Sequence, residues 1–239
     1  MSESELSSSR SEAKRLISEG LVLLDGKPVI KPSLDVDGMT DRITILKADK
    51  AFVGRGGLKL DHALDHFGIS VEGKRCLDIG ASSGGFTDCL LQRGAIHVIS
   101  LDSGSGQLVE RLRRDERVST IENYNARYLS REDLEYIPEL CVMDVSFISA
   151  TYIIPALSGC IDNGAEYVLL IKPQFEVGRD RVGKGGIVKS ESARADAKER
   201  VTACAEAYGF EVVGVTESPI KGGDGNTEYL CYMVFRGRD

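Results

Sequence analysis

From about residue 50 onward, short apolar runs alternate with helical segments, and this alternation constrains the fold more than any other feature of the chain. Parallel strands need crossover connections, commonly helices, so the alternation predicts an α/β domain with a doubly wound, mostly parallel sheet. The seven expected strands cover residues 75–79, 97–101, 118–121, 140–145, 167–172, 211–216 and 229–235. Only a short stretch containing Gly and Pro joins the last two, so we expect them to pair antiparallel.

The first 48 residues follow a different pattern and predict a small α+β unit. A helix over residues 13–17 is expected first, then a hairpin at Asp25-Gly26 and a strand over residues 42–46, because Asp-Gly between apolar runs favours a tight turn. The predicted domains are residues 1–48, a linker over residues 49–57, and a larger domain over residues 58–239 that begins with a helix over residues 58–67.

Charge and hydropathy exclude several classes of protein. The chain holds 30 Lys and Arg against 37 Asp and Glu, a net charge of −7, which argues against a wholly basic nucleic-acid coat. A local basic patch stays compatible with this balance, because phosphate binding depends on clustered charge. No apolar run approaches the roughly 20 residues that span a bilayer, and the polar, acidic start does not resemble a signal peptide. We therefore expect a cytoplasmic protein without stable membrane insertion.

Neither the cysteines nor the histidines indicate a metal site. The six cysteines lie far apart without a Cys-x-x-Cys pair, and we interpret them as buried free thiols. His62 and His66 have the four-residue spacing of two helical metal ligands, but the Glu that zinc proteases place between them is missing. Helix-surface histidines and no bound metal are the expectation.

The strongest local signal is Cys76-Leu-Asp-Ile-Gly-Ala-Ser-Ser-Gly-Gly-Phe86, where an apolar strand leads through a Gly-rich turn into a helix beginning near Gly85. Glycines permit a close backbone approach to a ligand, and a helix N-terminus adds unpaired N–H groups. Asp102 ends the next strand, near the spacing of roughly 20 residues expected for an acid that hydrogen-bonds a ribose hydroxyl. The pattern favours an adenosyl cofactor.

Two other interpretations of this turn stay open. The order Gly-x-Ser-x-Gly also occurs in the nucleophile elbow of hydrolases, with Ser82 as nucleophile, but no His follows His97 to act as the base. An ordinary Gly-rich turn between a strand and a helix, without a ligand, is the second interpretation.

Four charged residues are expected near one edge of the sheet. Asp144 and Lys172 end the fourth and fifth strands, Glu228 opens the seventh, and Lys59 precedes the sheet. Ligands of open α/β sheets bind outside the carboxyl ends of the strands, and a reversed last strand would bring Glu228 to that edge. Each residue alone would be a surface charge, whereas their convergence predicts a site.

This set resembles the Lys-Asp-Lys-Glu tetrad of FtsJ-like ribose 2′-O-methyltransferases, and the whole chain is similar to the TlyA family, also called haemolysin A. The matching stretches are Gly54-Arg-Gly-Gly-Leu-Lys-Leu60, Asp78-Ile-Gly-Ala-Ser-Ser-Gly-Gly-Phe-Thr87, Asn125-Ala-Arg127, Asp144-Val-Ser-Phe-Ile148, Ile171-Lys-Pro-Gln-Phe-Glu176, Gly185-Gly-Ile-Val188 and Asp224-Gly-Asn-Thr-Glu228. The resemblance implies a class I methyltransferase with a Rossmann-like seven-stranded sheet, S-adenosylmethionine as cofactor, and methylation of ribose 2′-hydroxyls in ribosomal RNA.

The resemblance also implies roles for individual residues. Lys172 would activate or orient the hydroxyl, and Asp144 would hold Lys172 and help align the cofactor. Lys59 and Glu228 would fix the ribose and the Lys172 geometry. The residues expected to bind the cofactor are Gly80, Ser82, Gly84, Gly85 and Phe86 in the turn, Asp78 beneath it, Asp102 on the ribose and Asn125 near the adenine.

The N-terminal unit resembles the ribosomal-protein-S-four-like RNA-binding domain, without the helix that usually begins that domain. Arg10 and Lys14 share a helix face, Lys27 and Lys31 extend it from the hairpin, and Arg55 leads toward the tetrad. The expected partner is ribosomal RNA or a ribosomal subunit, and the oligomeric state is left open.

Three competing functions are less consistent with these patterns. An NAD-dependent oxidoreductase is disfavoured by the Ser-containing turn and the paired last strands. A non-catalytic RNA-binding or ribosome-assembly factor need not retain the full tetrad. A membrane-lytic protein, which the haemolysin name suggests, is disfavoured by the lack of an obvious basic amphipathic helix.

Overall fold

The computed structural model describes residues 13–14, 16–17, 22–25, 27–29, 33–34, 36–37, 42–45 and 52–237. Residues 13–14 and 16–17 are helical, as expected from the sequence. Three short strands follow: β1 (Val22–Leu24), β2 (Lys27–Pro28) and β3 (Ile43–Ile45). Both β2 and β3 pair antiparallel with β1, which confirms the predicted hairpin and the additional strand.

A seven-stranded sheet forms the centre of the larger part. Its strands are β4 (Arg75–Ile79), β5 (His97–Leu101), β6 (Val118–Ile121), β7 (Leu140–Met143), β8 (Glu166–Ile171), β9 (Phe210–Glu217) and β10 (Tyr229–Phe235). They are ordered β6-β5-β4-β7-β8-β10-β9. β10 runs antiparallel to both of its neighbours, whereas β4 to β8 pair in parallel, so the predicted reversed last strand is confirmed.

The connecting segments supply the helices. The α-helices are α1 (Gly56–Phe67), α2 (Gly85–Gln92), α3 (Glu110–Arg113), α4 (Ile154–Ser158), α5 (Pro173–Glu176) and α6 (Glu191–Ala207). Short 3₁₀ helices occupy Ala126–Tyr128, Arg131–Asp133, Ala150–Tyr152, Arg179–Arg181 and Lys184–Gly186.

Helices cover both faces of the sheet, because successive residues of each buried strand point to opposite faces. On one face, Leu60 and Leu64 of α1 and Leu90 of α2 belong to a cluster that includes alternate strand residues. On the other face, Val201 and Ala205 of α6 pack in a second cluster. The sheet therefore lies between two layers of helices. Below, an edge of the sheet means one of the two sides at which its strands end.

Several boundaries differ from those expected, and each difference lies at a chain reversal. α1 begins at Gly56 and not at residue 58, and it ends at Phe67 as expected, followed by Gly68 in the left-handed conformation. β7 ends at Met143 and β8 at Ile171, so Asp144 and Lys172 belong to the loops that leave the sheet. Apolar periodicity marks the buried part of a strand but does not show where the backbone turns away.

All six cysteines are free thiols, five of them buried, and burial raises the pKa of the Cys76 thiol to about 12. The rings of His62 and His66 stack on α1 with centroids 5.7 Å apart. Within the described residues, no group of three or more His, Cys, Asp or Glu side chains could hold a metal ion. In the same part of the chain, no helix is long and apolar enough to cross a membrane.

Candidate functional site

The Gly-rich turn connects β4 to α2 and lies directly against the loop that follows β7. Gly80 has φ +85°, and a Cβ atom there would lie 2.5 Å from the carbonyl oxygen of Asp144. Only glycine fits this position without a shift of the backbone. The sequence therefore brings the turn and Asp144 together at one edge of the sheet.

The second half of the turn starts α2 under equally tight packing. Gly84 has φ +101°, and a Cβ atom there would lie 2.3 Å from Leu112 Cδ1. A Cβ atom on Gly85 would lie 3.1 Å from the backbone nitrogen of Gly57. The first turns of α1 and α2 therefore approach each other closely, and their backbone N–H groups are near the turn.

Asp102 holds the turn from the end of β5. Its Oδ2 accepts a hydrogen bond from the Ser82 backbone N–H at 2.8 Å, and its Oδ1 accepts one from the Gly104 N–H at 2.7 Å. Ser82 itself has φ +48°. A carboxylate has about four acceptor positions, so Asp102 can still accept a hydrogen bond from a ligand hydroxyl. It lies in a small crevice beside the turn, whose lining also includes Ser100, Gln107 and Glu122.

Asp78 is fully buried beneath the turn. The Thr87 hydroxyl donates to its Oδ2 at 2.6 Å and lies 2.8 Å from the Ser100 hydroxyl. Its Oδ1 is buried without a hydrogen-bond partner among the described residues. Burial raises the pKa of Asp78 to about 7, because removal from water disfavours the carboxylate.

The predicted tetrad forms two ion pairs at the same edge. Lys59 Nζ of α1 donates to Glu228 Oε2 at 2.6 Å in the interior. Lys172 Nζ lies 2.5 Å from Asp144 Oδ1 and donates to the Ser146 hydroxyl at 2.7 Å. Opposite charges compensate within each pair, which makes their burial tolerable.

A cleft of about 280 Å³ separates the turn from the tetrad. Its lining consists of Gly54, Arg55, Gly56, Lys59, Gly80, Ala81, Ser82, Ser83, Gly85, Phe86, Asp144, Ser146, Lys172, Ile220, Lys221 and Gly223. Seven of the twelve predicted catalytic and cofactor residues thus meet around one space, together with Arg55. Among the predicted residues outside this lining, Glu228 is buried and pairs with Lys59, which does line the cleft.

Asn125 is also absent from the lining of the cleft and of the crevice. It follows β6, and its Oδ1 accepts a hydrogen bond from the Arg127 N–H at 3.1 Å at the start of a 3₁₀ turn. The predicted contact with an adenine stays a prediction.

The predicted RNA-binding residues are only partly described. Lys14 is exposed on the N-terminal helix, Lys27 belongs to β2, and Arg55 lines the cleft at the start of α1. Arg10 and Lys31 lie outside the described residues.

Sequence reasoning missed three residues of this edge. Ser146 receives the Lys172 hydrogen bond, and Lys221 lines the cleft from the hairpin before β10. Phe147 is 92% exposed with φ +64°, and its ring centroid lies 5.3 Å from that of Phe175. A bulky residue in the left-handed region is uncommon and often marks a functional loop. Their position directly after Asp144 was the available signal for Ser146 and Phe147.

Comparison with known proteins gives two family matches. The FtsJ-like methyltransferase family matches residues 52–235, and the S4 domain family matches residues 1–43. A Mycobacterium tuberculosis protein named 16S/23S rRNA (cytidine-2′-O)-methyltransferase TlyA is 45% identical over 95% of this chain and 85% of its own length. Hemolysin A of Brachyspira hyodysenteriae is 45% identical over 95% of this chain and 94% of its own length.

Solved structures agree with these matches. A Streptococcus thermophilus protein aligns with a TM-score of 0.77 at 44% identity, covering 97% of this chain and 84% of that chain. N-methyltransferase NodS of Bradyrhizobium japonicum aligns with a TM-score of 0.51 at 14% identity, covering 76% of this chain and 97% of that chain. The latter likeness concerns the fold alone. With the observed sheet order, it confirms the expected class I methyltransferase fold.

Proposed function

Since the chain belongs to the TlyA family of FtsJ-like methyltransferases, we propose that it transfers a methyl group from S-adenosylmethionine to a ribose 2′-hydroxyl of ribosomal RNA. The observation that carries the proposal is the cleft between the Gly-rich turn and two lysine–carboxylate pairs. One wall suits an adenosyl cofactor, and the facing wall presents charged groups to a hydroxyl.

The residues of the turn fit the proposed cofactor. S-adenosylmethionine, when bound, supplies an electrophilic methyl group on a sulfonium. The missing Cβ atoms at Gly80 and Gly85 let the loop after β7 and the start of α1 pack closely against the turn, and Asp102 has acceptor capacity for the ribose hydroxyls. Asp78 would fix the base of the turn through its Oδ2, which accepts a hydrogen bond from the Thr87 hydroxyl.

Lys172 is the residue that would act on the ribose hydroxyl. Its Nζ lines the cleft and is held in place by Asp144 and Ser146, so its direction is fixed before the RNA arrives. A preorganised group of this kind orients the oxygen toward the methyl group, and only in its neutral amine form would it accept the hydroxyl proton. Lys59, held by Glu228, would support the ribose from the other side.

The RNA would reach the cleft over the S4 unit and the start of α1. The S4 family match and the exposed Lys14 support contact with RNA phosphates, and Arg55 carries positive charge to the cleft. The proposed substrate is ribosomal RNA within a ribosomal subunit or free, in the cytoplasm.

Methyl transfer from labelled S-adenosylmethionine to ribosomal subunits and to free ribosomal RNA tests the proposal. We expect the label at ribose 2′-oxygens, and a decrease of at least about 100-fold for Lys172→Ala, as for removal of a positioned acid–base group. The matched control is Lys74→Ala, which changes a lysine just before β4, at the opposite end of the strands.

Calorimetry distinguishes a residue that binds the cofactor from one that acts only on the RNA hydroxyl. Lys172→Ala should bind S-adenosylmethionine like the wild type. Wild-type protein that labels no RNA would refute the proposed function. Near-normal turnover of Lys172→Ala would refute only the role of Lys172.

A further inference from the structure

Residues 178–189, called here the cationic loop, leave α5 at the same edge of the sheet as the cleft. Arg179, Arg181, Lys184 and Lys189 are exposed on it. Arg181 pairs with Asp196, whereas the other three have no ion pair within the described part of the chain. The contrast with Arg111, Arg113, Arg114 and Arg117 is clear, because each of those pairs with an acid. The loop also carries the exposed Asp180, so its unpaired cations outnumber its acids and it presents net positive charge to solvent.

One buried side chain anchors this loop. Asn226 is 1% exposed; its Oδ1 accepts a hydrogen bond from the Val188 N–H at 2.9 Å, and its Nδ2 donates to the Gly186 carbonyl at 2.8 Å. The Gly183 N–H also donates to the Ile187 carbonyl at 3.0 Å, which closes the loop on itself. A single amide thus satisfies a donor and an acceptor of the loop backbone, a combination that Asp and Ala cannot supply.

Asn226 belongs to the hairpin that carries part of the tetrad. Its carbonyl accepts a hydrogen bond from the Gly222 N–H at 2.9 Å, and Glu228 follows two residues later. The same hairpin brings Lys221 and Gly223 to the cleft, where a Cβ atom on Gly223 would lie 4.0 Å from Arg55 Nη2. The hydrogen bonds of Asn226 consequently join the cationic loop to the hairpin, and the hairpin itself lines the cleft.

We propose that the cationic loop is the wall that binds RNA phosphates flanking the target ribose, and that Asn226 is the positioning residue that fixes this wall relative to Glu228. This inference rests on the proposed function and names the surface by which its substrate is held. Phosphate contacts set the register of a nucleic acid on a protein without reading its bases. Because Asn226 holds the cationic loop to the hairpin that carries Glu228, the register set by the phosphates would also position the ribose at the tetrad.

The test compares three variants with the wild type: Arg179→Gln/Lys184→Gln/Lys189→Gln, Asn226→Asp, and the combination of the two. Arg236→Gln is the matched control, since it follows the reversed strand β10 and lies at the opposite edge. The measurements are the KM and Kd for ribosomal RNA across a salt series, kcat at saturating RNA, and the Kd for S-adenosylmethionine.

For the triple variant we expect at least about a 10-fold rise in the KM for RNA. The slope of log Kobs against log salt should weaken by about 2, since each single-strand phosphate contact contributes about 0.7. The kcat and cofactor affinity should stay unchanged. Asn226→Asp should raise the KM for RNA and weaken the slope although all three cations remain, and the combined variant should show less than the product of the two effects.

The possible failures are distinguishable. A wild type that does not methylate RNA refutes the proposed function. A methylating wild type with an unchanged KM and salt slope in the triple variant refutes the phosphate wall. Because the three changed side chains are exposed, a folding defect does not obscure that result. An Asn226→Asp protein that loses cofactor affinity but keeps the salt slope would show a merely structural role for Asn226.

Discussion

Lys59 and Glu228 are separated by 169 residues, yet their side chains meet at 2.6 Å inside the protein. Their side chains are only 10% and 3% exposed. The contact exists because β10 enters the sheet in reverse between β8 and β9, which brings its first residues to the edge where α1 begins. The topology of the sheet, and not local sequence, therefore assembles the candidate site.

The first prediction separates the stability that this pair provides from its function. Glu228→Gln leaves the Lys59 ammonium buried without its counter-charge, so the free energy of unfolding should fall by roughly 3 to 5 kcal/mol. The double variant Lys59→Met/Glu228→Gln should recover most of that loss in urea denaturation but no methyl transfer to RNA. A double variant with restored methyl transfer would mean that the pair only stabilises the fold.

The second prediction concerns the close approach of the turn to the loop after β7. Gly80→Ala combines an unfavourable positive φ with a Cβ atom 2.5 Å from the Asp144 carbonyl oxygen. It should abolish binding of S-adenosylmethionine in calorimetry. Gly68→Ala is the control, because Gly68 has φ +67° but no atom within 4 Å of the added Cβ. That variant should lose only about 1 to 2 kcal/mol of stability and bind the cofactor normally.

Some of these features could be predicted from the sequence because local rules determine them. Apolar runs marked all seven strands of the sheet, and the short last connection indicated the reversed strand. The Gly-rich turn and the charges near the strand ends then followed from the general placement of ligands in α/β sheets. Lys172 and Asp144 were expected at one edge, and there they form an ion pair.

Other features depend on contacts between segments that no local pattern encodes. Asn226 lies inside a recognised motif, but its hydrogen bonds to the loop at residues 186–188 appear only once both segments are folded. The left-handed backbone conformation of Phe147 could not be predicted from the sequence either, because nothing in the residue type favours it. Ser146 gained its role from the position that Lys172 takes across the loop.

The third prediction assigns a use to the exposed ring of Phe147. Phe147 directly follows Ser146, which lines the cleft, and its ring is 92% exposed, so a nucleobase next to the target ribose can stack on it. Base–aromatic stacking contributes about 1 to 3 kcal/mol, so Phe147→Ala should lower kcat/KM for RNA by roughly 5- to 150-fold. Cofactor affinity should not change.

Two further variants at this position test the stacking argument. Phe147→Tyr keeps the ring and should keep most of the activity. Phe147→Gly removes both the ring and the unfavourable φ +64°, and should therefore raise thermal stability while it lowers activity. Equal kcat/KM values for Phe147→Ala and Phe147→Tyr would rule out stacking.

The fourth prediction follows from the buried carboxyl group beneath the turn. Burial raises the pKa of Asp78 from its ordinary value of 3.8 to about 7, so the folded protein retains a proton that the unfolded chain has already released. The contribution of protonated Asp78 to the free energy of unfolding is therefore complete below pH 4 and is lost as the pH rises to 7. One pKa unit corresponds to about 1.4 kcal/mol, which makes the loss about 4 kcal/mol.

Asp78→Asn isolates this effect, because Asn is nearly isosteric with the protonated carboxyl group and does not ionise. The hydrogen bond from the Thr87 hydroxyl can be kept by the amide oxygen. We expect this in urea denaturation without cofactor. The free energy of unfolding of Asp78→Asn minus that of the wild type should increase from pH 4 to pH 7 and stay constant above pH 7. Other carboxyl groups titrate in both proteins and cancel in the difference. A difference that is constant across this range would mean that Asp78 ionises in the folded protein at its ordinary pKa.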